Sequence, residues 1–325
     1  MKNLFLYILI IPLLTVSQNY NGPESVEYNF WGNNSITYFI SNSSNGQILA
    51  LDENGELSVF VNGINTGPHG LEFAANFTDS NLYACSGGRL YGFDSEGNEI
   101  LNYNLNGSFL NGITNRLITE SINGGPFDVI NSDLFITDFS AKKLYRYDVL
   151  SGTHDEICSF TKNPNGVLWD GQNNRLLVVC WGLNAPIYEV EVENGSYSTL
   201  VNTGLSNLDG ITMDSCGNYY VTAWSSNSLH KYSSDFSETE IIMSGLSNPA
   251  DICYHPNDNI IGIPNSGNNT LDFVGLDCNN STIPEITYNR NLIKTIDVLG
   301  REKTDKGFQL RIYDNGSVEK KYLLK

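Results

Sequence analysis

NPNGVLWDGQNNRLLVVCWGLNAPIYEVEV, residues Asn163 to Val192, decides the fold. It reads as three short apolar strands separated by Gly- and Asn-rich turns, and a fourth follows through NGSYSTLVNTG (Asn194–Gly204). The same order returns in NLDGITMDSCGNYYVTAWSSNSLHKYSSD (Asn207–Asp235) and in NPADICYHPNDNIIGIPNSGNNTLDFVGLD (Asn248–Asp277). Upstream, GPESVEY (Gly22–Tyr28), GPHGLEFAANF (Gly67–Phe77) and FLNGITNRLI (Phe109–Ile118) each open a similar unit.

Aligned on the residue after a polar position, the units start at Ser25, Gly70, Gly112, Gly166, Gly210 and Asp251, spaced 45, 42, 54, 44 and 41 residues apart. Periods of this size with about four strands each predict propeller blades, because one such sheet cannot bury its faces alone. The expectation is an all-β, six-bladed β-propeller. The long third interval leaves a second anchor open, Asp128 in GGPFDVINSDLFITD; Gly112 is preferred because FLNGI matches NPNGV and NLDGI in order. The last unit shows three strands, so its fourth must come from beyond Asp277 or from ahead of Pro23.

In a propeller the first strand of each blade lines the axis. The polar column just before those strands is Glu24, His69, Asn111, Asn165, Asp209 and Ala250. Two readings stand: ordinary turn residues, or a ring of oxygen ligands of the kind a hard cation takes. Gly70, Gly112, Gly166 and Gly210 follow four of these positions, where glycine permits a sharp turn or a close backbone approach. Loops between second and third strands should open on the same face, bringing Trp181 and Trp224 to the mouth, either to stack on a ligand ring or to cap the blade core. His69 reads as a polar channel residue within reach of a substrate, while His154, His230 and His255 fall in outer strands or turns.

GPES, NPNGVLWD and NLDGITMDSCGNYYVTAW, in that order over about Gly22–Asp277, resemble the regucalcin/gluconolactonase family of six-bladed propellers. The resemblance implies a divalent metal, usually calcium, on Glu24, Asn165 and Asp209, and a substrate-orienting role for Asn111. Two departures matter. Glu24 follows Gly22-Pro23 rather than preceding a Gly-Pro pair, closer to strictosidine-synthase-like and paraoxonase-like branches, and Asp209 follows Leu208 rather than proline. The implied activity is that of a secreted, calcium-dependent hydrolase of a small ester or lactone, with Asp209 and Asn111 catalytic. The alternative is a non-catalytic surface module that binds a glycan or peptide through Trp181 and Trp224.

The ends of the chain differ from its body. Lys2 and the apolar run Leu4–Val16, with Thr15-Val16-Ser17 at its end, read as a signal peptide over 1–17. No other stretch is long and apolar enough for a membrane helix. Residues 18–278 hold the propeller, 279–288 a linker, and 289–325 a small β tail. From Gln18 to Tyr288 there are 8 Lys and Arg against 31 Asp and Glu, net −23; from Arg290 to Lys325 there are nine against five, net +4. So acidic a body argues against nucleic acid or anionic membrane as partners. The tail, through DVLGRE and IYDNGSVEKK, resembles the C-terminal sorting domain of type IX secretion. That resemblance implies an encounter with the type IX machinery and a secreted or cell-surface location. The six cysteines leave disulfide connectivity open, with Cys85, Cys180 and Cys253 in apolar runs that suit buried thiols. No Ser-His-Asp signature, phosphate loop or dinucleotide fingerprint is visible.

Overall fold

A computed structural model of the chain describes residues 19–31, 35–76, 79–121, 127–276, 292–296, 307–313 and 318–323. The leader 1–17, the linker 279–288 and Cys278 lie outside them. No helix among the described residues is long and apolar enough to cross a membrane. Two compact units result, Met1–Cys278 and Asn279–Lys325.

The first unit is a six-bladed propeller. Five blades are four-stranded antiparallel sheets. Blade one comprises β1 (Pro23–Tyr28), β2 (Ile36–Asn42), β3 (Gln47–Asp52) and β4 (Leu57–Val61). Blade two follows with β5 (Leu71–Ala75), β6 (Ser80–Ser86), β7 (Arg89–Phe93) and β8 (Glu99–Asn104). Blade three has β9 (Leu110–Ser121), β10 (Phe127–Asp138), β11 (Lys143–Asp148) and β12 (Thr153–Ser159). Blade four has β13 (Asn163–Asp170), β14 (Arg175–Trp181), β15 (Pro186–Val190) and β16 (Tyr197–Asn202). Blade five has β17 (Leu208–Met213), β18 (Tyr219–Ala223), β19 (Ser228–Tyr232) and β20 (Thr239–Ser244), with a 3-10 turn at Trp224–Ser226. Blade six shows three strands among the described residues, β21 (Cys253–His255), β22 (Ile260–Asn265) and β23 (Thr270–Gly275).

Two details settle expectations. Asn111 and Gly112 lie in β9, whereas Asp128 lies in β10, so Gly112 anchors blade three. The long interval arises because β9 and β10 are each 12 residues long and extend the first hairpin of that blade. His255, expected in an outer strand or turn, instead ends the inner strand β21; the short apolar run ICYH was too brief to betray which strand it formed.

Burial follows position in the blade. Second strands such as β14 (RLLVVCW) are apolar almost throughout because blades pack on both of their faces. Outer strands such as β20 (TEIIMS) are largely exposed and carry polar residues. The ring closes where the Asp251 N–H donates to Glu24 O at 2.9 Å and Val26 packs with Ile40, Leu49 and Cys253. Cys85, Cys180 and Cys253 are buried free thiols, Cys158 is a half-buried one, and Cys216 is disulfide-bonded.

The axial glycines are needed for close approach. None of Gly70, Gly112, Gly166 and Gly210 has a positive φ. A Cβ on Gly70 would overlap Asn111 O, one on Gly112 would overlap Asn165 O, and one on Gly166 would overlap Asp209 O. Each glycine therefore lets one inner strand lie backbone against backbone on the next blade's column residue.

The second unit contains β24 (Leu292–Ile296), β25 (Gly307–Tyr313) and β26 (Val318–Leu323), paired antiparallel in that order.

Candidate active site at the channel mouth

The polar column and the second-to-third-strand loops meet in one cavity of about 180 Å³. Glu24, His69, Asn111, Asn165 and Asp209 line it, together with Trp181 and Trp224. The seven residues expected at the site thus reach the same mouth, from five blades. Two lining residues, Phe109 and Phe139, were not anticipated. Phe139 had a signal: Thr137-Asp138-Phe139 repeats as Thr222-Ala223-Trp224 at the ends of β10 and β18. Ala250 completes the column without a ligating side chain and is fully buried.

Strand geometry fixes these groups. In blade three the Thr137 hydroxyl accepts from Gly112 N–H at 2.9 Å and donates to Asn165 O at 2.6 Å, tying blade three to blade four. Thr222 does the same for Gly210 N–H at 2.8 Å and Ala250 O at 2.9 Å, tying blade five to blade six. Asn165, 1% exposed, donates through Nδ2 to Leu208 O at 3.1 Å. That bond orients its amide, so Oδ1 accepts from Asn111 Nδ2 at 2.6 Å.

The electrostatics are those of carboxylates with no compensating cation: no Lys or Arg is among the nine lining residues. Burial, then the charges of Glu24 and Asp251, push the Asp209 carboxyl well above the usual range, against the pull of the Asn165 amide and Trp224 indole. Burial raises Glu24 to about 7, with Asp251 adding to the rise and the Ser266 hydroxyl opposing it. His69 Nδ1 lies 3.2 Å from Gly67 O, which can only accept, so the proton sits on Nδ1 and Nε2 keeps its lone pair. Burial pulls this imidazole down to about 4, leaving it neutral at pH 7.

Above the carboxylates runs an arc of rings in edge-to-face contact. His69 meets Phe109 at 4.7 Å, Phe109 meets Phe139 at 5.8 Å, Phe139 meets Trp181 at 6.0 Å, and Trp181 meets Trp224 at 5.1 Å. The indole of Trp224 is close enough to Asp209 to favour its charged form, yet its buried Nε1 makes no well-formed hydrogen bond to a described residue.

Among the described residues, no three His, Cys, Asp or Glu side chains converge as a ready-made metal cage. The mouth offers two carboxylates and one amide oxygen with a second lone pair to give. This donor set suits a hard cation that keeps several waters, and no Lys or Arg among the lining residues opposes it.

The sequence model of the SMP-30/Gluconolactonase/LRE-like region matches residues 131–261. The match holds Asn165 and Asp209, with Trp181 and Trp224, and leaves Glu24, His69 and Asn111 outside. The chain is a six-bladed β-propeller, and its residues 131–261 are similar to that region. No curated protein matches it. Among solved structures it is similar to a catalytically inactive virginiamycin B lyase variant from Staphylococcus aureus with quinupristin, at TM-score 0.52 and 15% identity over 96% of this chain and 97% of that one. It is also similar to the selenomethionine-substituted lyase from the same organism, at TM-score 0.52 and 14% identity over 94% and 98%. At these identities the likeness carries the fold alone.

Proposed function

We propose that the protein is a metal-dependent hydrolase of a small ester or lactone, with its site at the channel mouth. The observation that carries this reading is the pair of buried, uncompensated carboxylates, Glu24 and Asp209, beside the Asn165 amide in a cavity open to small molecules. The partial match to the lactonase-like region supports it. Glu24, Asp209 and Asn165 would hold calcium, which when bound polarises a carbonyl and steadies its oxyanion.

The chain's own residues supply the rest. Asp209, at the mouth beside Asn165, takes the proton of the attacking water as the C–O bond forms. It returns that proton to the alkoxide as the ester C–O bond breaks. Asn111 holds Asn165 in place and orients the substrate.

The deciding experiment is calcium titration by calorimetry on wild type and Asp209→Ala, with lactone hydrolysis followed with and without chelator. Binding and turnover in wild type, both lost in the variant, are expected. Equal, negligible binding by both proteins would remove the metal site. Retained ligand binding with no turnover would favour a binding module instead.

We also propose export, on the Leu4–Val16 leader and the basic tail that resembles a type IX sorting domain. Intact mass of the protein recovered outside the producing cells would show the leader removed; retention inside would contradict export.

A further inference from the structure

Three residues on from each member of the polar column comes a second ring: Glu27, Glu72, Thr114, Leu168, Thr212 and Cys253. All six line a cavity of about 150 Å³ deeper in the channel, which shares no lining residue with the mouth cavity. On a regular strand, residues three apart face opposite ways. A register shift in the inner hairpins of blades one, three, four and five offsets that alternation, so both rings reach the channel. Glu27 accepts from the Tyr28 N–H at 3.1 Å and Glu72 from Asn115 Nδ2 at 3.0 Å. Both donors are neutral amides, and no Lys or Arg is among the lining residues, so the charge of the pair is uncompensated. Thr212 adds an independent observation. It is 8% exposed, lines the cavity and makes no hydrogen bond to a described residue. Thr114, its counterpart in blade three, accepts from the Trp169 N–H at 3.2 Å. A hydroxyl buried without a partner carries a cost that a ligand in the cavity would remove. Carboxylates and a hydroxyl oxygen accept, so the ligand must donate and carry positive charge. Among the described residues no three His, Cys, Asp or Glu side chains converge as a metal cage. An ammonium reaches its partners through N–H bonds, which are longer than metal–oxygen bonds, and its three donors match Glu27, Glu72 and Thr212. Ile113, Leu168 and Ile211 make another part of the wall aliphatic, which suits an alkyl chain. The volume holds roughly five water-sized groups.

We propose that this deep cavity is a second binding site, taking a small primary alkylammonium ion whose N–H groups donate to Glu27, Glu72 and Thr212 and whose alkyl chain lies against Ile113, Leu168 and Ile211, independently of the site at the mouth.

The test is calorimetric titration of the full chain with n-butylammonium at pH 8, in an amine-free buffer with chelator, and with n-butanol as the uncharged analogue. We expect saturable ammonium binding at one site, with butanol at least about tenfold weaker. Glu27→Gln with Glu72→Gln keeps the shape, removes the charge and should abolish binding. Thr212→Val should weaken it about tenfold, since a hydrogen bond from a charged donor is lost. Leu168→Phe narrows the cavity without touching its charge and should also weaken binding; it serves should the Gln pair fail to fold. Asp209→Ala, at the mouth, should bind the ammonium as wild type does. No binding by wild type, or equal binding by wild type, the Gln pair and Thr212→Val, would overturn the inference. So would binding lost in Asp209→Ala and kept in the Gln pair, which would move the ligand to the mouth. Sodium, potassium or calcium binding that the Gln pair abolishes and that n-butylammonium fails to displace would make the cavity a metal site instead.

Discussion

Gly166 shows how much one hydrogen atom decides. Its side chain is absent because Asp209 O occupies the space a methyl would need. The obstacle is the backbone of the neighbouring inner strand, which cannot swing away as a flexible side chain would. Gly166→Ala should therefore destabilise the propeller by about 1–3 kcal/mol, as overpacking does in close-packed cores. It should also displace Asp209 and weaken calcium binding, because the clash falls on that residue's own carbonyl. Gly55→Ala is a useful contrast: nothing lies within 4 Å of its Cβ, and its cost comes from φ +82° alone. Urea unfolding of both variants, with calcium titration of each, checks this. Equal losses of calcium affinity in the two would disconnect the axial glycine from the site.

At the level of strands, the repeat was legible and the fasteners between repeats were not. Asn165-Gly166 and Asp209-Gly210 announce themselves because a polar residue, a glycine and an apolar run recur at a fixed period. Trp181 and Trp224 follow once the second-to-third-strand loops are assigned to one face. Thr137 and Thr222 gave no such warning, since threonine in an apolar strand is ordinary β composition. Their role appears only when adjacent blades are in contact: each hydroxyl accepts from a glycine N–H of its own blade and donates to a carbonyl of the next. Phe109 and Phe139 stayed hidden for a similar reason. An aromatic beside a strand reads as core until its neighbours on other blades are known. Thr137→Val keeps the shape and removes the hydroxyl, leaving Gly112 N–H and Asn165 O unpaired in a buried place. Each such loss costs about 1–3 kcal/mol, so Thr137→Val should be destabilised by at least about 2 kcal/mol in urea unfolding. Thr199→Val, on the exposed face of β16, should change stability little. If the two variants unfold alike, the hydroxyl bridge contributes nothing.

Over the whole molecule, the acidic body has a buried counterpart. Below Glu24 and Asp209 the channel carries Asp251, Glu27 and Glu72, the last three lining a second cavity of about 150 Å³. Burial is the first cause of every shift there: Asp251 rises to about 7, Glu72 to about 8, and Glu27 well above its ordinary value, with repulsion from Glu72 and Asp251 added. A carboxyl raised in the folded state binds its proton more tightly there than in the unfolded chain. Its stabilising effect is therefore complete below its unfolded pKa, about 4, and is lost as pH rises through the folded value. Metal-free protein should thus lose stability between about pH 4 and 8. Buried pairs such as Asp170 with Arg175 pull the other way only at lower pH, because the Asp170 carboxyl is held below its ordinary value. Calorimetric Tm measured in chelator should fall steadily from pH 5 to pH 8. Excess calcium at pH 8 should recover part of the loss, since a bound cation replaces the missing protons at the mouth. Glu27→Gln with Glu72→Gln should flatten the slope in chelator and leave the calcium response in place, because neither residue lines the mouth cavity. A Tm that holds constant or rises from pH 5 to 8 in chelator would show that the channel carboxylates are solvated enough to ionise without cost.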